Sequence, residues 1–275
     1  MSMFAREPRL AVRPPAVAGS FYPRGPKELK AAVDALLSQA EPSREGSLLG
    51  VIAPHAGYTY SGPVAANAFA PVASGTVVER VLLIGPPHFV PVSGVAAPSS
   101  TAFATPLGEV VIDRDAIAAL IEAGLVTIDD RAHAPEHSLE VELPFLQAVL
   151  GRFGVIPLLV GDAAPEQVAA IVSAVLDERT LAVVSTDLSH YLDDASARAR
   201  DVATAKTIER LDFTRLGPQD ACGFAALNGA LCAARQEHWG IKRLDLRNSG
   251  DTSGDRSRVV GYGAWAFSAA EPASA

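Results

Sequence analysis

The segment Arg80–Phe89 reads RVLLIGPPHF, and its pattern predicts the type of sheet at the centre of this chain. A continuous run of Val, Leu and Ile ends at a glycine, two prolines follow, and then a histidine. An uninterrupted apolar run of this length is typical of a strand buried on both faces of a parallel sheet. The segments Leu48–His55 (LLGVIAPH) and Leu181–His190 (LAVVSTDLSH) repeat this order of strand and then histidine. We therefore expect these three strands at the centre of one sheet.

Other strand patterns alternate with helical patterns along the chain, which is typical of an α/β fold. Two further strands are predicted at Val155–Gly161 and Arg258–Phe267. The predicted helices are Pro26–Gln39, Pro63–Ala73, Asp115–Ala123, Pro165–Leu176, Ala195–Leu211 and Pro218–Arg235. The stretch Gly94–Asp113 contains turn residues and is predicted to form an irregular hairpin inserted on this scaffold. The expected fold class is α/β, with a mixed, mostly parallel central sheet flanked by helices.

The length of 275 residues fits one α/β domain. We find no internal repeat and no linker long enough to separate two domains, so we expect a single domain over residues 13–268. The ends, residues 1–12 and 269–275, are predicted to be disordered because of their composition.

Charge and cysteine content exclude several classes of function. The net charge of −8 disfavours a nucleic-acid partner, because phosphate backbones are bound by basic surfaces. Two cysteines, Cys222 and Cys232, are too few and too far apart for a disulfide framework or a CxxC motif. The N-terminal residues contain no apolar signal core, and no apolar run approaches the length of a membrane span. We expect a soluble, cytoplasmic protein without a membrane partner.

The placement of the histidines is the most informative feature for function. His55, His88 and His190 each follow a predicted strand. A single histidine at such a position is usually an ordinary loop residue. The carboxyl ends of parallel strands meet at one sheet edge, however, and ligands bind in the crevice there. Three histidines at one edge therefore predict either a metal site or an acid–base site, and their spacing does not distinguish the two.

Several carboxylates are candidates to complete this site. Two histidines and one carboxylate are the ligands expected of non-haem Fe(II) oxygenases, and hydrolytic zinc sites use similar sets. The candidate carboxylates are Glu136, Asp187, Asp251 and Asp255. His137, beside Glu136, is a further candidate at the entry of a helix, where Pro144 either kinks the helix or marks its first turn. His133 and His238 are expected to be ordinary polar residues.

Other catalytic motifs are disfavoured. The chain has no GxSxG elbow, no phosphate-binding P-loop and no GxGxxG turn after a strand. Cys222 would be a nucleophile only with His190 beside it, and a small buried apolar role is the more common one. Glu140 and Glu142 are either acid–base groups or complements to a helix dipole.

A set of motifs spread over the chain resembles one known family. These motifs are RPPAVAGSFYP, APHAGYTYSG, GPPHF, TPLGEV, EHSLEVELPF, STDLSHY, ACG and NSGDTSGDRSRVVGYGA. Together they resemble the MEMO family, the B component of the AmmeMemoRadiSam system, from about Arg13 to Phe267.

The resemblance implies a fold similar to the class III extradiol dioxygenases, with a metal site at the positions of His55, His88, Asp187 and His190. Eukaryotic members have a further cysteine ligand shortly before the last strand. Residues Asn248–Asp255 contain no cysteine. Asp251 is the nearest ligand there, and its harder oxygen favours iron over copper.

The leading hypothesis is a metal-binding protein with dioxygenase-like or related redox activity on a small molecule, most readily with Fe(II), with Zn(II) or copper as alternatives. His55, His88 and Asp251 are the predicted ligands. The predicted catalytic residues are His190, Asp187, His137 and Glu136. A non-catalytic binding or signalling module and a metal-dependent hydrolase are the alternatives. The name of the system also implies a radical SAM protein as a partner.

Overall fold

The computed structural model describes residues 12–41, 47–74 and 77–269. The ends predicted to be disordered therefore lie outside the described residues, except for one residue at each boundary. Val12 pairs with Ala102 in a short parallel bridge between strands. The backbone N–H of Ala269 donates a hydrogen bond to the Ser47 carbonyl at 2.9 Å.

Strands and helices alternate over most of the described residues. The strands are β1 (Val12–Arg13), β2 (Leu48–Ala53), β3 (Arg80–Gly85), β4 (Val95–Ala97), β5 (Ala102–Thr105), β6 (Gly108–Ile112), β7 (Thr127–Ile128), β8 (Gly154–Val160), β9 (Thr180–Ser185), β10 (His190–Leu192), β11 (Gly240–Asn248) and β12 (Val259–Ser268). The helices are α1 (Pro26–Ser38), α2 (Tyr58–Phe69), α3 (Arg114–Glu122), α4 (Asp130–His133), α5 (Leu143–Leu150), α6 (Pro165–Val175), α7 (Asp194–Glu209), α8 (Phe224–Gln236) and α9 (Gly250–Ser253). One short 3₁₀ helix directly follows α2, and another directly precedes α5.

All twelve strands of the described residues belong to one mixed sheet. Its main path runs β1-β5-β6-β8-β3-β9-β2-β12-β10. The central neighbours β8, β3, β9 and β2 are parallel, whereas β12 is antiparallel to β2. The predicted central position of β2, β3 and β9 is therefore confirmed. Their side chains are almost completely buried, which explains why each strand is a continuous apolar run.

Helices cover this sheet and complete the single α/β domain. Helix α2 packs against β2 and β12, α7 packs against β11 and β12, and α8 packs against β9 and α6. The largest buried side chains of the core include Trp265, Phe69, Phe103, Phe145 and Phe267.

The predicted hairpin at Gly94–Asp113 forms, but it is not an insertion on the scaffold. Strands β5 and β6 pair in antiparallel fashion, as a hairpin requires. Strand β6 also pairs in parallel with β8, and β5 pairs with β1, so the hairpin extends the sheet. Strand β11 has no counterpart among the predicted strands. Within the described residues it pairs with β12 alone, and many of its side chains are exposed, so it lacks the continuous apolar run of the buried strands.

Two helices begin where proline does not mark their start. Helix α2 begins at Tyr58, five residues before the predicted Pro63, which lies inside the helix. Helix α8 begins at Phe224 rather than at Pro218, after Gly223. A Cβ atom on Gly223 would lie 2.8 Å from the Ser185 carbonyl oxygen, so this close approach requires glycine.

Across the described ranges, no helix combines the length and the apolar composition that crossing a membrane requires.

Candidate metal centre

Three imidazole rings meet beyond the carboxyl ends of the central strands. His55 follows β2, and His88 follows β3, two strands separated only by β9. Their ring centroids are 5.1 Å apart. His137, from the segment before α5, completes the group at 5.6 Å from His55 and 4.7 Å from His88. The structure therefore brings residues of three different chain segments into one histidine cluster.

The orientation of His55 is fixed by the end of β9. Its Nδ1 atom lies 2.7 Å from Ser185 Oγ, and that hydroxyl donates to the Ser138 carbonyl at 2.6 Å. A hydroxyl has one hydrogen, so His55 Nδ1 carries a hydrogen and donates it to Ser185. The Nε2 atom then holds a lone pair. Burial, together with the neighbouring His88 and His137, holds the pKa of His55 well below its usual value.

Glu136 fixes His88 in the same way. The carboxylate accepts hydrogen bonds from His88 Nδ1 at 2.8 Å and from the backbone N–H of His88 at 2.5 Å. It also accepts from the backbone N–H groups of His137 and Ser138. Burial opposes the charge of Glu136, but these hydrogen bonds and the His88 charge outweigh it and lower its pKa to about 2. Glu136 is therefore a charged acceptor that leaves His88 Nε2 free.

Cys222 is a further candidate metal ligand, which was not predicted from the sequence. Its Sγ atom lies 3.3 Å from His55 Nε2. The donor atoms of Cys222, His55 and His88 all lie within 4.8 Å of one another. Burial and the nearby Asp187 carboxylate raise the pKa of the thiol to about 12. A weak signal was available in the sequence, because Cys222 lies in ACG, one of the motifs that carry the family resemblance.

The structure does not bring Asp251, the third predicted ligand, to the histidines. Its Oδ1 accepts a hydrogen bond from Arg198 at 2.6 Å, and its Oδ2 accepts from the backbone N–H of Asn248. Asp251 lies in the first turn of α9, at the end of β11, and the paired arginine keeps its carboxylate there. Among the described residues, Cys222 and not Asp251 lies close enough to His55 and His88 to share an ion with them.

Asp187 and His190 lie on the wall of the same cavity. Asp187 is buried, and its Oδ1 accepts a hydrogen bond from the backbone N–H of His55 at 2.8 Å. Burial raises the pKa of Asp187 to about 6, although the neighbouring His190 and the hydrogen bond from the backbone N–H of His55 oppose the rise. His190 does not depend on Asp187 for its orientation, because its Nδ1 lies 2.7 Å from the Leu188 carbonyl and donates to it.

His137 is the member of the cluster with an unused ring atom. Its Nδ1 is buried and makes no hydrogen bond, although Glu136 Oε1 lies 3.3 Å away. Burial lowers the pKa of His137 to about 4, against the opposing charge of Glu136. The ring also packs against Phe21, with centroids 4.7 Å apart. His137 is therefore a neutral ring that separates the cluster from the aromatic wall of the cavity.

The cavity beside the cluster has a volume of about 700 Å³ and suits a small molecule. Its aromatic walls are Phe21, Tyr60, Tyr191 and Tyr262.

The donor atoms fit a divalent metal ion. The His55 and His88 rings turn their Nε2 atoms towards the same small volume, and each ring is held by a hydrogen bond at its Nδ1 atom, as is usual for histidine ligands. A thiol lies within the same small volume and would lose its proton on coordination. Glu136 does not fit as a ligand, because its Oε1 atom already accepts several N–H groups.

The fold and the site together define a class: single-domain α/β proteins with a histidine and cysteine cluster at the carboxyl edge of a mostly parallel sheet. Residues 13–266 match the sequence profile of the Memo family, described as Memo-like protein. The chain therefore belongs to the Memo-like protein family, as its motifs predicted.

Full-length relatives support this assignment. A MEMO1 family protein of Methanopyrus kandleri is 36% identical, and the match covers 93% of this chain and 98% of the relative. A MEMO1 family protein of Methanothermobacter thermautotrophicus is also 36% identical, over 91% of this chain and 98% of its own. One of Aquifex aeolicus is 34% identical, over 92% of this chain and 98% of its own.

Proposed function

We propose that this protein binds one divalent metal ion through His55, His88 and Cys222. The observation that supports this proposal is the pairing of both imidazoles at Nδ1, by Ser185 and Glu136, which leaves both Nε2 atoms available close to the thiol. Three protein ligands leave coordination positions open, which is typical of catalytic rather than structural metal sites.

We propose Fe(II) as the working metal and a small molecule in the cavity as the substrate. Imidazole is a common ligand of iron, zinc and copper, whereas a thiolate adds affinity for zinc and Cu(I), so these two metals are the competitors of Fe(II) at this site. Bound Fe(II) would supply redox chemistry with oxygen at a position that the substrate also reaches. The neighbouring cavity has room for such a substrate, which favours a catalytic site over a purely structural one.

Asp187 and His190 are the proposed proton-transfer groups. Both line the cavity, and the Nδ1–H of His190 is held by a carbonyl, so its Nε2 can accept a proton from a bound molecule. Glu136 acts through His88, whose ring it orients. His137 and Phe21 form the wall that limits access of water to this side of the cavity.

Elemental analysis of the purified chain tests the metal proposal. We expect about one divalent metal ion per chain, and we expect the double variant His55→Ala, His88→Ala to lose it. The matched control is His238→Asn, because His238 is exposed and has a positive φ of 57°, which asparagine tolerates. Full metal occupancy in the double variant would refute the assignment.

Metal-dependent hydrolysis is the second candidate, and Cys222 is the observation that favours it, because catalytic zinc sites use three protein ligands drawn from histidine, cysteine and carboxylate, and a thiolate adds affinity for zinc. Oxygen uptake by the Fe(II)-loaded protein with catechol-type substrates supports the redox function. Hydrolytic activity of the Zn(II)-loaded protein without oxygen supports the hydrolase. A protein that binds metal but shows neither activity fits the non-catalytic binding module.

A further inference from the structure

We propose that Arg258 anchors the carboxylate of a planar, unsaturated small-molecule acid in the cavity. This inference rests on the proposed function, because it names the substrate class of the same cavity. Arg258 contributes the guanidinium group among the residues that line the cavity, and its Cζ lies 5.0 Å from the centroid of the Tyr191 ring.

Arg258 is exposed, and its guanidinium donates no hydrogen bond to any residue that the structure describes. Within the described part of the chain, no carboxylate lies within 4.0 Å of it, whereas Arg256 of the same loop lies within that distance of Asp194 and Asp251. Stacking on an aromatic ring uses the face of a guanidinium and leaves its N–H edge available. That edge matches the two oxygens of a carboxylate.

The backbone conformation at Tyr191 places its ring, with Arg258 stacked on it, at the cavity. In a regular strand, consecutive side chains point to opposite faces, yet His190 and Tyr191 both line the cavity. Tyr191 has a φ of +61°, and the pairing with β12 changes register between His190 and Leu192. A left-handed tyrosine is strained, and strain of this kind is typical of functional sites. Tyr191 is 64% exposed, so burial of its ring does not explain the strain.

The two carboxylates on the cavity wall already have partners. Asp255 accepts hydrogen bonds from the backbone N–H and the hydroxyl of Ser257, and Asp187 accepts from the backbone N–H of His55. The chain carries a net charge of −8, so an anion needs a local positive group in order to bind. One guanidinium fits a monoanionic carboxylate better than a phosphate dianion, which normally engages several donors. The aromatic walls favour a planar body for the ligand.

Benzoate binding to the metal-free chain, measured by titration calorimetry, tests this assignment. We expect Arg258→Met to weaken benzoate binding by about tenfold or more. We expect a smaller loss for Arg258→Lys, which keeps the charge but not the two parallel N–H donors of the guanidinium. Arg256→Met is the matched control, and we expect no more than about a twofold change. Benzamide, the neutral analogue, should bind the wild type weakly and should not respond to Arg258→Met.

Three results would overturn the proposal: unchanged benzoate affinity in Arg258→Met, equal affinities for benzoate and benzamide, or no binding of benzoate. Tighter binding of phenyl phosphate than of benzoate would overturn the carboxylate assignment. Metal content of Arg258→Met separates this inference from the proposed function. The inference holds if the variant keeps its metal and loses benzoate binding. A wild-type chain that binds benzoate but no metal would refute the metal site alone.

Discussion

Breaking the buried ion pair between Arg13 and Glu140 should destabilise the protein far more than breaking an exposed pair of the same type. Arg13 Nη1 lies 2.8 Å from Glu140 Oε2, and the exposed fractions of the two side chains are 5% and 0%. Glu140 also accepts hydrogen bonds from Tyr22 and from the backbone N–H groups of Ala16 and Val17. Arg13 also donates to the backbone carbonyls of His133 and Glu136. The pair and its hydrogen bonds therefore link residues 13–17 to the segment that contains Glu136.

Removing one partner leaves the other charge buried without its counter-charge, with only neutral hydrogen-bond partners beside it. We expect Glu140→Gln and Arg13→Met each to lower the free energy of unfolding by about 3–5 kcal/mol. The double variant should lose less than the sum of the two single losses, by about 1–3 kcal/mol, because neither charge then stays buried alone. Urea unfolding at neutral pH, followed by circular dichroism, measures all three variants.

The exposed pair of Arg179 and Glu79 is the matched control. Its atoms are 2.6 Å apart, but its side chains are 58% and 55% exposed. We expect Arg179→Met and Glu79→Gln each to cost under about 1 kcal/mol, because water screens the pair. Equal losses for the buried and exposed pairs, or additive losses in the buried double variant, would refute the reasoning.

Three further predictions follow from single residues. Burial lowers the pKa of His133 to about 4, so the unfolded chain binds a proton more readily below pH 6.5. The contribution of neutral His133 to the free energy of unfolding should therefore be fully present above pH 6.5 and should be lost as the pH falls towards 4. Between pH 7.5 and 5, the wild type should lose about 2 kcal/mol more than His133→Gln in urea titrations. An equal pH dependence in both proteins would contradict this. Cys222→Ser should weaken Zn(II) binding by more than about 100-fold in a chelator competition, since even groups that only orient ligands affect affinity by 10–100-fold; unchanged affinity would remove Cys222 from the ligand set. Gly223→Ala should lower stability by about 1–3 kcal/mol, because its Cβ would lie 2.8 Å from the Ser185 carbonyl. Gly217→Ala is the control, since the nearest atom to its Cβ would be 3.9 Å away, and similar losses in the two variants would rule out the steric explanation.

The sequence predicted those elements whose bounds and burial follow from their own residues. The predicted Arg80–Gly85 strand has the same bounds in the structure, because its apolar run ends at a glycine and two prolines. The start of helix α2 was predicted five residues too late. Its first turn is stabilised by Tyr58, whose side chain packs against Phe145 and Tyr22. Such contacts are distant in the chain, so no local pattern indicates them. Pro144 does mark the first turn of α5, the second of the two readings that the sequence left open.

The sequence by itself determined which side chains reach the sheet edge. Side chains that come just after a buried parallel strand lie at the carboxyl edge of the sheet, which is why the sequence placed His55, His88 and His190 there, and all three line the cavity. Only the tertiary structure decided which other groups join them. Cys222 reaches His55 because Gly223 packs closely against the end of β9, and Asp251 stays away because Arg198 pairs with it. Those outcomes depend on packing and charge between segments far apart in the chain, and local sequence does not encode them.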